Sequence, residues 1–279
     1  GDIEGARKDR ALLTQMVPGE SSYWIDLALH DVESGKNSSA LVSISKALAL
    51  EPQNADLEAY AEHLSPGSTP RPEDAWVLSP PHMTDEQHNA LYAEEDYFYL
   101  LDQKVTRVFP SGLKTTFVQQ VLKVRTDVGA ASLRTISVGY TPDSQQVKVK
   151  QARVVKADGS VRETWQTYEQ SLSEPWYNLY YDYVAAVIVL PEISAGDVVE
   201  IQYTIEQTTG TNILGDYFGD IIFVQDEAPK ALAQFSLVYP PDRTIHVRHP
   251  TLPHEHVQTT NAEGHTVQTW SFQKLDSVP

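Results

Sequence analysis

From Tyr97 onward the hydrophobic residues recur at every second position, most cleanly where Val199, Ile201, Tyr203 and Ile205 alternate with Glu200, Gln202, Thr204 and Glu206. Successive strand side chains point to opposite faces, so this period specifies β-structure rather than helix. It predicts one face against a core and the other in water. Turn-forming clusters interrupt the pattern at Pro110-Ser111-Gly112, Pro142-Asp143-Ser144, Asp158-Gly159, Ala195-Gly196-Asp197, Pro240-Pro241-Asp242 and Glu263-Gly264. Short β-rich runs between such turns argue for antiparallel strands. Within Val147-Lys148-Val149-Lys150-Gln151-Ala152-Arg153-Val154 the inward set moves from odd to even positions, as a β-bulge requires. About ten strands without intervening helices predict a mainly β fold, an antiparallel two-sheet β-sandwich.

Upstream the period is helical. Trp24, Leu27 and Ala28 fall on one segment and Ala40, Ile44, Ala47 and Leu50 on the next, with Ser34-Gly35-Lys36 between them, which predicts a helical hairpin. Trp24-x2-Leu27-Ala28 followed by Ala40-x3-Ile44-x2-Ala47-x4-Pro52 resembles a tetratricopeptide repeat, whose small residues let two antiparallel helices pack closely. Asp31 departs from that pattern, where an aromatic is usual, and an ordinary helical hairpin is the other reading. A lone repeat buries its apolar face only against a neighbour, so Trp24, Leu27, Ile44 and Leu50 are expected to be buried, with residues 55–64 as the next or capping helix. Pro66, Pro70, Pro72, Pro80 and Pro81 then mark an extended linker, onto whose neighbour Trp76, Val77 and Leu78 would dock. Thr84-x-x-Gln87 has the spacing of a capping box for a short helix. The expected organisation is residues 1–64 helical and tetratricopeptide-like, 65–84 a Pro-rich linker, and 85–279 a β-sandwich domain.

Charge and composition narrow the function. The chain has 21 Lys plus Arg against 38 Asp plus Glu, a net charge of −17, which repels phosphate backbones, so nucleic acid is not an expected partner. No apolar run is long enough to span a bilayer. With no cysteine, the chain has no disulfide, no thiolate metal site and no cysteine nucleophile. It opens on Gly1-Asp2 rather than Met, so a secretory leader would lie outside these residues, and the expected location is periplasmic or secreted.

Several pieces of the β region occur in a recognisable order. They are Tyr99-Leu100-Leu101-Asp102, the run 117–129, Val138-Gly139-Tyr140-Thr141-Pro142, Ala152-Arg153-Val154 with Asp158-Gly159-Ser160, the run 193–203, and Asp216-Tyr217-Phe218-Gly219-Asp220. Together they resemble the bacterial domain of unknown function that precedes a transglutaminase-like core. The resemblance implies a β-sandwich followed by a papain-like catalytic domain that supplies Cys, His and Asp. It assigns no catalytic residue within the β domain.

The residues offer three candidate sites. Glu174-Pro175-Trp176-Tyr177-Asn178-Leu179-Tyr180-Tyr181-Asp182-Tyr183 joins rings to carboxylates, a combination that suits sugars or extended peptides, and Trp176, Tyr177, Tyr180 and Asp182 are the expected ligand-binding residues. Alternation would put Tyr181 and Tyr183 inside, with Tyr180 and Asp182 outside. His246, His249, His254 and His256 gather near the C-terminal hairpins, and His254-Glu255-His256 places two imidazoles on one strand face, but no consistent third ligand follows, so no metal site is assigned. Asp216, Asp220, Asp226 and Glu227 lack the spacing of a calcium loop and are read as acids solvating turns.

No nucleophile elbow, phosphate cradle or local carboxylate pair is present, and no cofactor is expected. The functional expectation is a non-catalytic accessory or scaffolding module of a bacterial transglutaminase-like protein. It would present a protein or peptide to a downstream core in cis and engage another protein through the helical repeat. The alternative is a free-standing carbohydrate- or peptide-binding protein using the aromatic segment.

Overall fold

A computed structural model describes residues 3–51, 54–66, 75–81, 87, 91–172, 182–208 and 216–278. The chain forms two compact units, residues 1–75 with 208–210, and residues 76–207 with 211–279.

The first unit contains α1 (Ile3–Met16), α2 (Ser21–Glu33), α3 (Asn37–Leu50) and α4 (Ala55–Leu64). Ala28, Ile44, Ala47, Leu57 and Ala61 form its buried centre, where small side chains let the helices approach closely. Asn54 caps α4, its side chain accepting from the Leu57 N–H at 3.0 Å. Leu27 and Ile44 are buried, as expected, while Trp24 is only half-buried where it packs against the cluster. Leu50 is not buried: it lies in the last turn of α3 and is 40% exposed. α1 carries no inward apolar stripe, since Ile3, Leu12, Leu13 and Met16 are exposed, and periodicity therefore does not reveal it. Polar contacts hold it: Arg7 Nε and Nη2 donate to the Asp31 carboxylate at 2.6 and 3.0 Å, and a His30 ring nitrogen meets Ile3 O at 3.0 Å. Asp31, the departure from the repeat pattern, is thus a fully buried counter-ion for the preceding helix. The helices also repeat in register, with Ile3 to Asn37, Met16 to Leu50 and Ser21 to Ala55 each 34 residues apart.

The second unit is mainly β. Its elements are β1 (Tyr97–Val108), β2 (Lys114–Val124), α5 (Asp127–Ser132), β3 (Thr135–Tyr140), β4 (Gln145–Val155), β5 (Val161–Arg162), β6 (Gln166–Ser171), β7 (Val184–Val189), β8 (Val198–Gln207), β9 (Lys230–Tyr239), β10 (Glu255–Thr260) and β11 (Thr266–Leu275). They make an eight-stranded sheet in the order β10-β11-β9-β1-β2-β8-β4-β5 and a three-stranded sheet β3-β7-β6. Val138, Ile188 and Leu190 from the region of the small sheet share one buried core with Leu122, Ala152, Val154, Val199 and Ile201 of the large one. The bulge lies where the alternation of β4 changed phase, with the β4·β8 register slipping between Val149 and Gln151.

Three features differ from the sequence reading. The small helix α5 interrupts the β region, capped by Thr126 Oγ1 accepting from Gly129 N at 3.1 Å. The β1·β9 pair is parallel, whereas every other described strand pair is antiparallel. The long connection from β8 to β9 allows this, because a parallel partner cannot be reached through a tight hairpin. Finally, the polar face of β8 is not in water: Glu200, Gln202, Thr204 and Glu206 are all buried.

A network satisfies that polar face. Arg153 Nε donates to Glu200 at 2.8 Å, Gln119 and Gln202 each donate to the other Glu200 oxygen at 3.0 and 2.8 Å, and Lys148 pairs with Glu206 at 2.7 Å. The segment 76–78 lies against the same face. Gln119 accepts from Leu78 N and donates to Leu78 O, both at 2.9 Å, Gln103 donates to Trp76 O at 2.9 Å, and the Trp76 ring meets Phe117 with centroids 6.1 Å apart. Side-chain amides here take the place of a neighbouring strand. Trp76 and Leu78 thus dock on the β unit as the sequence suggested, while Val77 is exposed. Residues 67–74 of the Pro-rich run, with Pro70 and Pro72, and residues 82–86, with Thr84 of the capping box, lie outside the described residues.

At the parallel seam, Lys230 Nζ donates to Asp102 Oδ2 at 2.5 Å, Gln120 donates to Asp102 Oδ1 at 3.1 Å, and the ammonium sits 5.3 Å from the Tyr99 ring centre. Both charges are buried, so Asp102→Ala, which strands the ammonium, is expected to cost about 3–5 kcal/mol in a urea titration, whereas Asp102→Leu with Lys230→Met recovers most of that loss. Equal losses in the single and double variants would contradict it.

Across the small sheet, the Tyr140 hydroxyl on β3 donates to Glu169 on β6, and that bond, helped by burial, pushes the Tyr140 pKa up to about 12. Burial and the nearby Asp102 carboxylate also raise Tyr99 and Tyr203. A folded-state pKa above the unfolded value of about 10 contributes stability that is complete below pH ~10 and lost as pH rises through the folded value. For Tyr140 the window is therefore about pH 10 to 12. Tyr140→Phe is expected to flatten this part of the stability curve, as read by denaturant melts, while leaving the Tyr99 and Tyr203 contribution.

Candidate functional site

The β9 and β11 end of the large sheet carries an open groove of about 1220 Å³. Its floor is Phe235 and Leu237 of β9 with Trp270 and Phe272 of β11. Two irregular runs, 216–224 and 240–251, form its lips. Phe218 and Val224 from the first and Ile245 from the second pack onto the buried cluster that includes the floor residues Leu237, Trp270 and Phe272. Tyr217 and Ile221 line the groove yet remain 63% and 78% exposed, and Phe223, beside it, is 79% exposed. Large apolar side chains exposed this close together in one loop mark an interaction site more often than a lone surface leucine does.

Both lips are pinned. Arg243 donates from Nη1 to Asp216 O at 2.7 Å and from Nη2 to Pro110 O at 2.8 Å, tying the start of the first lip to the β1–β2 turn. Lys114 Nζ pairs with Asp220 at 2.5 Å. At its far end, Gln225 donates to Asp276 O at 3.1 Å and the Val278 N–H to Asp226 O at 2.9 Å. The second lip is tied to the floor where the Trp270 indole N–H donates to His249 Nδ1 at 3.0 Å, leaving the ring proton of a neutral His249 on Nε2. His249 stacks on His254 with ring centres 6.0 Å apart and meets His256 edge-on at 5.0 Å, and His256 stacks on Trp270 at 4.8 Å. Of the four histidines that clustered in the sequence, His249, His254 and His256 are brought together as a ring cluster beside Trp270, while His246 is exposed. Among the described residues no group of three or more His, Asp or Glu is placed to hold a metal ion.

The groove is electrically polar along its length. Asp216 and Asp242 stand at the end beside the β1–β2 turn, while His246, Arg248 and His249 lie toward Trp270. Arg248 is exposed and makes no hydrogen bond or ion pair with any described residue.

Of the ligand-binding residues expected from sequence, Trp176, Tyr177 and Tyr180 lie outside the described residues, as does Tyr181, and Asp182 is exposed. Tyr183 is 44% exposed rather than inside, because it precedes β7 and lays its ring over Gly139, where a Cβ would come within 3 Å of it. The carbohydrate alternative rested on that segment. Asp216 and Asp220 are engaged with Arg243 and Lys114, and Asp226 accepts from the Glu227 N–H, so these acids order their own loop. The lips were missed because neither has a regular period, although the run Ile221-Ile222-Phe223-Val224, apolar and next to an acidic turn, was the available signal.

The profile of a domain of unknown function, DUF3857, matches residues 110–279. No curated protein matches the sequence. Among solved structures, a putative protease from Parabacteroides distasonis is similar, at 17% identity and a TM-score of 0.53, over 66% of this chain and 36% of that one. This chain therefore spans about a third of that structure, and the likeness is one of fold. An M1 zinc metallopeptidase from Deinococcus radiodurans is similar more loosely, at 11% identity and a TM-score of 0.37, over 67% of this chain and 41% of that one.

Gly112, with φ of +79°, sits where an added Cβ would lie 2.5 Å from Asp216 O. Gly112→Ala must therefore push the first lip away as well as strain the turn, at a cost of about 1–3 kcal/mol. Hydrogen exchange is expected to speed up in residues 216–220 and to stay unchanged in β4 and β8.

Proposed function

This chain belongs to the DUF3857 family, and we propose that its β unit, read as a two-sheet sandwich, is a non-catalytic accessory module that holds a polypeptide for a neighbouring transglutaminase-like or peptidase-like domain. The observation that carries the reading is the groove over β9 and β11, whose pinned lips keep Tyr217 and Ile221 in solvent. Its volume exceeds the ~300–1,000 Å³ of small-molecule pockets, and its open form suits a chain segment better than an enclosed ligand. The similarity to a putative protease that is much longer than the matched region agrees with a module beside a catalytic domain. The helical unit, with its 34-residue register, is proposed as tetratricopeptide-like and as a second contact surface for protein. A periplasmic or secreted location fits this role.

Residues 1–279 are expected to turn over no transglutaminase or peptidase substrate. In the full-length protein, Ile221→Ser with Phe223→Ser is expected to lower kcat/KM on large polypeptide substrates by about tenfold and to leave small ones nearly unchanged, because only large substrates reach the remote contact. Turnover by residues 1–279 alone, or equal losses on both substrate sizes, would refute the proposal.

A further inference from the structure

Building on the reading of the β unit as a polypeptide-holding module, we propose that the groove takes an extended apolar segment of another polypeptide in one direction, with an acidic residue at the Arg248 end. The exposed lip side chains Tyr217, Ile221 and Val247 supply apolar contact without sequence preference, above a floor whose Leu237, Trp270 and Phe272 are already buried. Direction comes from charge. At the turn end the groove presents Asp242, and Asp216 beside Arg243, which repel an acid. Arg243 cannot answer an acid there, because its guanidinium is occupied by Asp216 O and Pro110 O.

At the other end Arg248 is exposed, has no partner among the described residues, and lines the groove next to His246 and His249. A guanidinium with an open fork accepts a carboxylate in a bidentate pair, with geometry as well as charge. The rest of the chain sharpens this. With a net charge of −17, the surface is unfavourable to acids in general, and screening limits that repulsion to about 8 Å at physiological salt, so an acid is accepted where a local cation receives it. The pinned lips make the selection one of recognition rather than of folding around the ligand, since Trp270 holds His249 and Arg243 holds the first lip before anything binds.

The test is selection of a displayed library of short linear peptides, built from aliphatic and aromatic residues with one terminal position varied between Glu and Gln, on residues 1–279. Glu peptides are expected to bind about tenfold tighter than their Gln counterparts, the worth of one charge-assisted pair, when the acid is at one end of the segment and not at the other. Arg248→Gln is expected to erase that preference and Arg248→Lys to keep part of it. Ile221→Ser is expected to weaken Glu and Gln peptides alike. Arg248 and Ile221 are both exposed, so these variants are not expected to disturb the fold. Peptides retained with no Glu preference, or a preference that survives Arg248→Gln, would overturn the directional proposal and leave polypeptide holding intact. Retention of no peptide at all would overturn both.

Discussion

The buried pair of Lys230 and Asp102 holds the seam on which the second half of the large sheet depends. β1 is antiparallel to β2 on one side and parallel to β9 on the other, so backbone pairing alone offers β9 several registers. A charged lysine at the first position of β9 removes that freedom, because any slip would bury an ammonium without its carboxylate. Once β9 is placed, β11 and β10 follow by antiparallel pairing, and the loops flanking β9 and preceding β10 become the lips of the groove.

The central strands pay for burial on both faces with polar chemistry on one of them. Leu122, Val199 and Ile201 meet the small sheet, while Gln119, Glu200 and Gln202 on neighbouring positions form a hydrogen-bonded network with Arg153 and the backbone of Leu78. Such a network admits one arrangement of residues 76–78 where an apolar surface would admit many, and Gln103 Oε1 beside it is left without a partner among the described residues. The strap at 76–78 is thus held in a defined register without being a strand.

In the helical unit the same logic appears at smaller scale. The burial of Ala28, Ile44 and Ala47 is visible because helical spacing exposes it in the sequence, and Leu57 and Ala61 of α4 join them in the structure. The attachment of α1 is not visible, since Arg7 and Asp31 are 24 residues apart and no local rule links them. Asp31 looked like a defect in the repeat and is instead the side chain that recruits the preceding helix.

What the sequence by itself determined is the local order: strands where the period is two, the bulge in β4 where the phase shifts, turns at Gly112, Gly159 and Gly264 where a positive φ is needed, and the helical pair with its small-residue interface. These are set by residues a few positions apart, whose steric and hydrophobic preferences act whatever the rest of the chain does. Only the tertiary structure decided that β9 runs parallel to β1, that Glu200, Gln202 and Glu206 lie buried, and that two irregular loops enclose an apolar groove with Arg248 at one end. A polar strand face looks the same in sequence whether it meets water or Arg153 and Gln119. The difference lies in partners brought from far along the chain, and in burial that makes an unmet polar group too costly to leave alone.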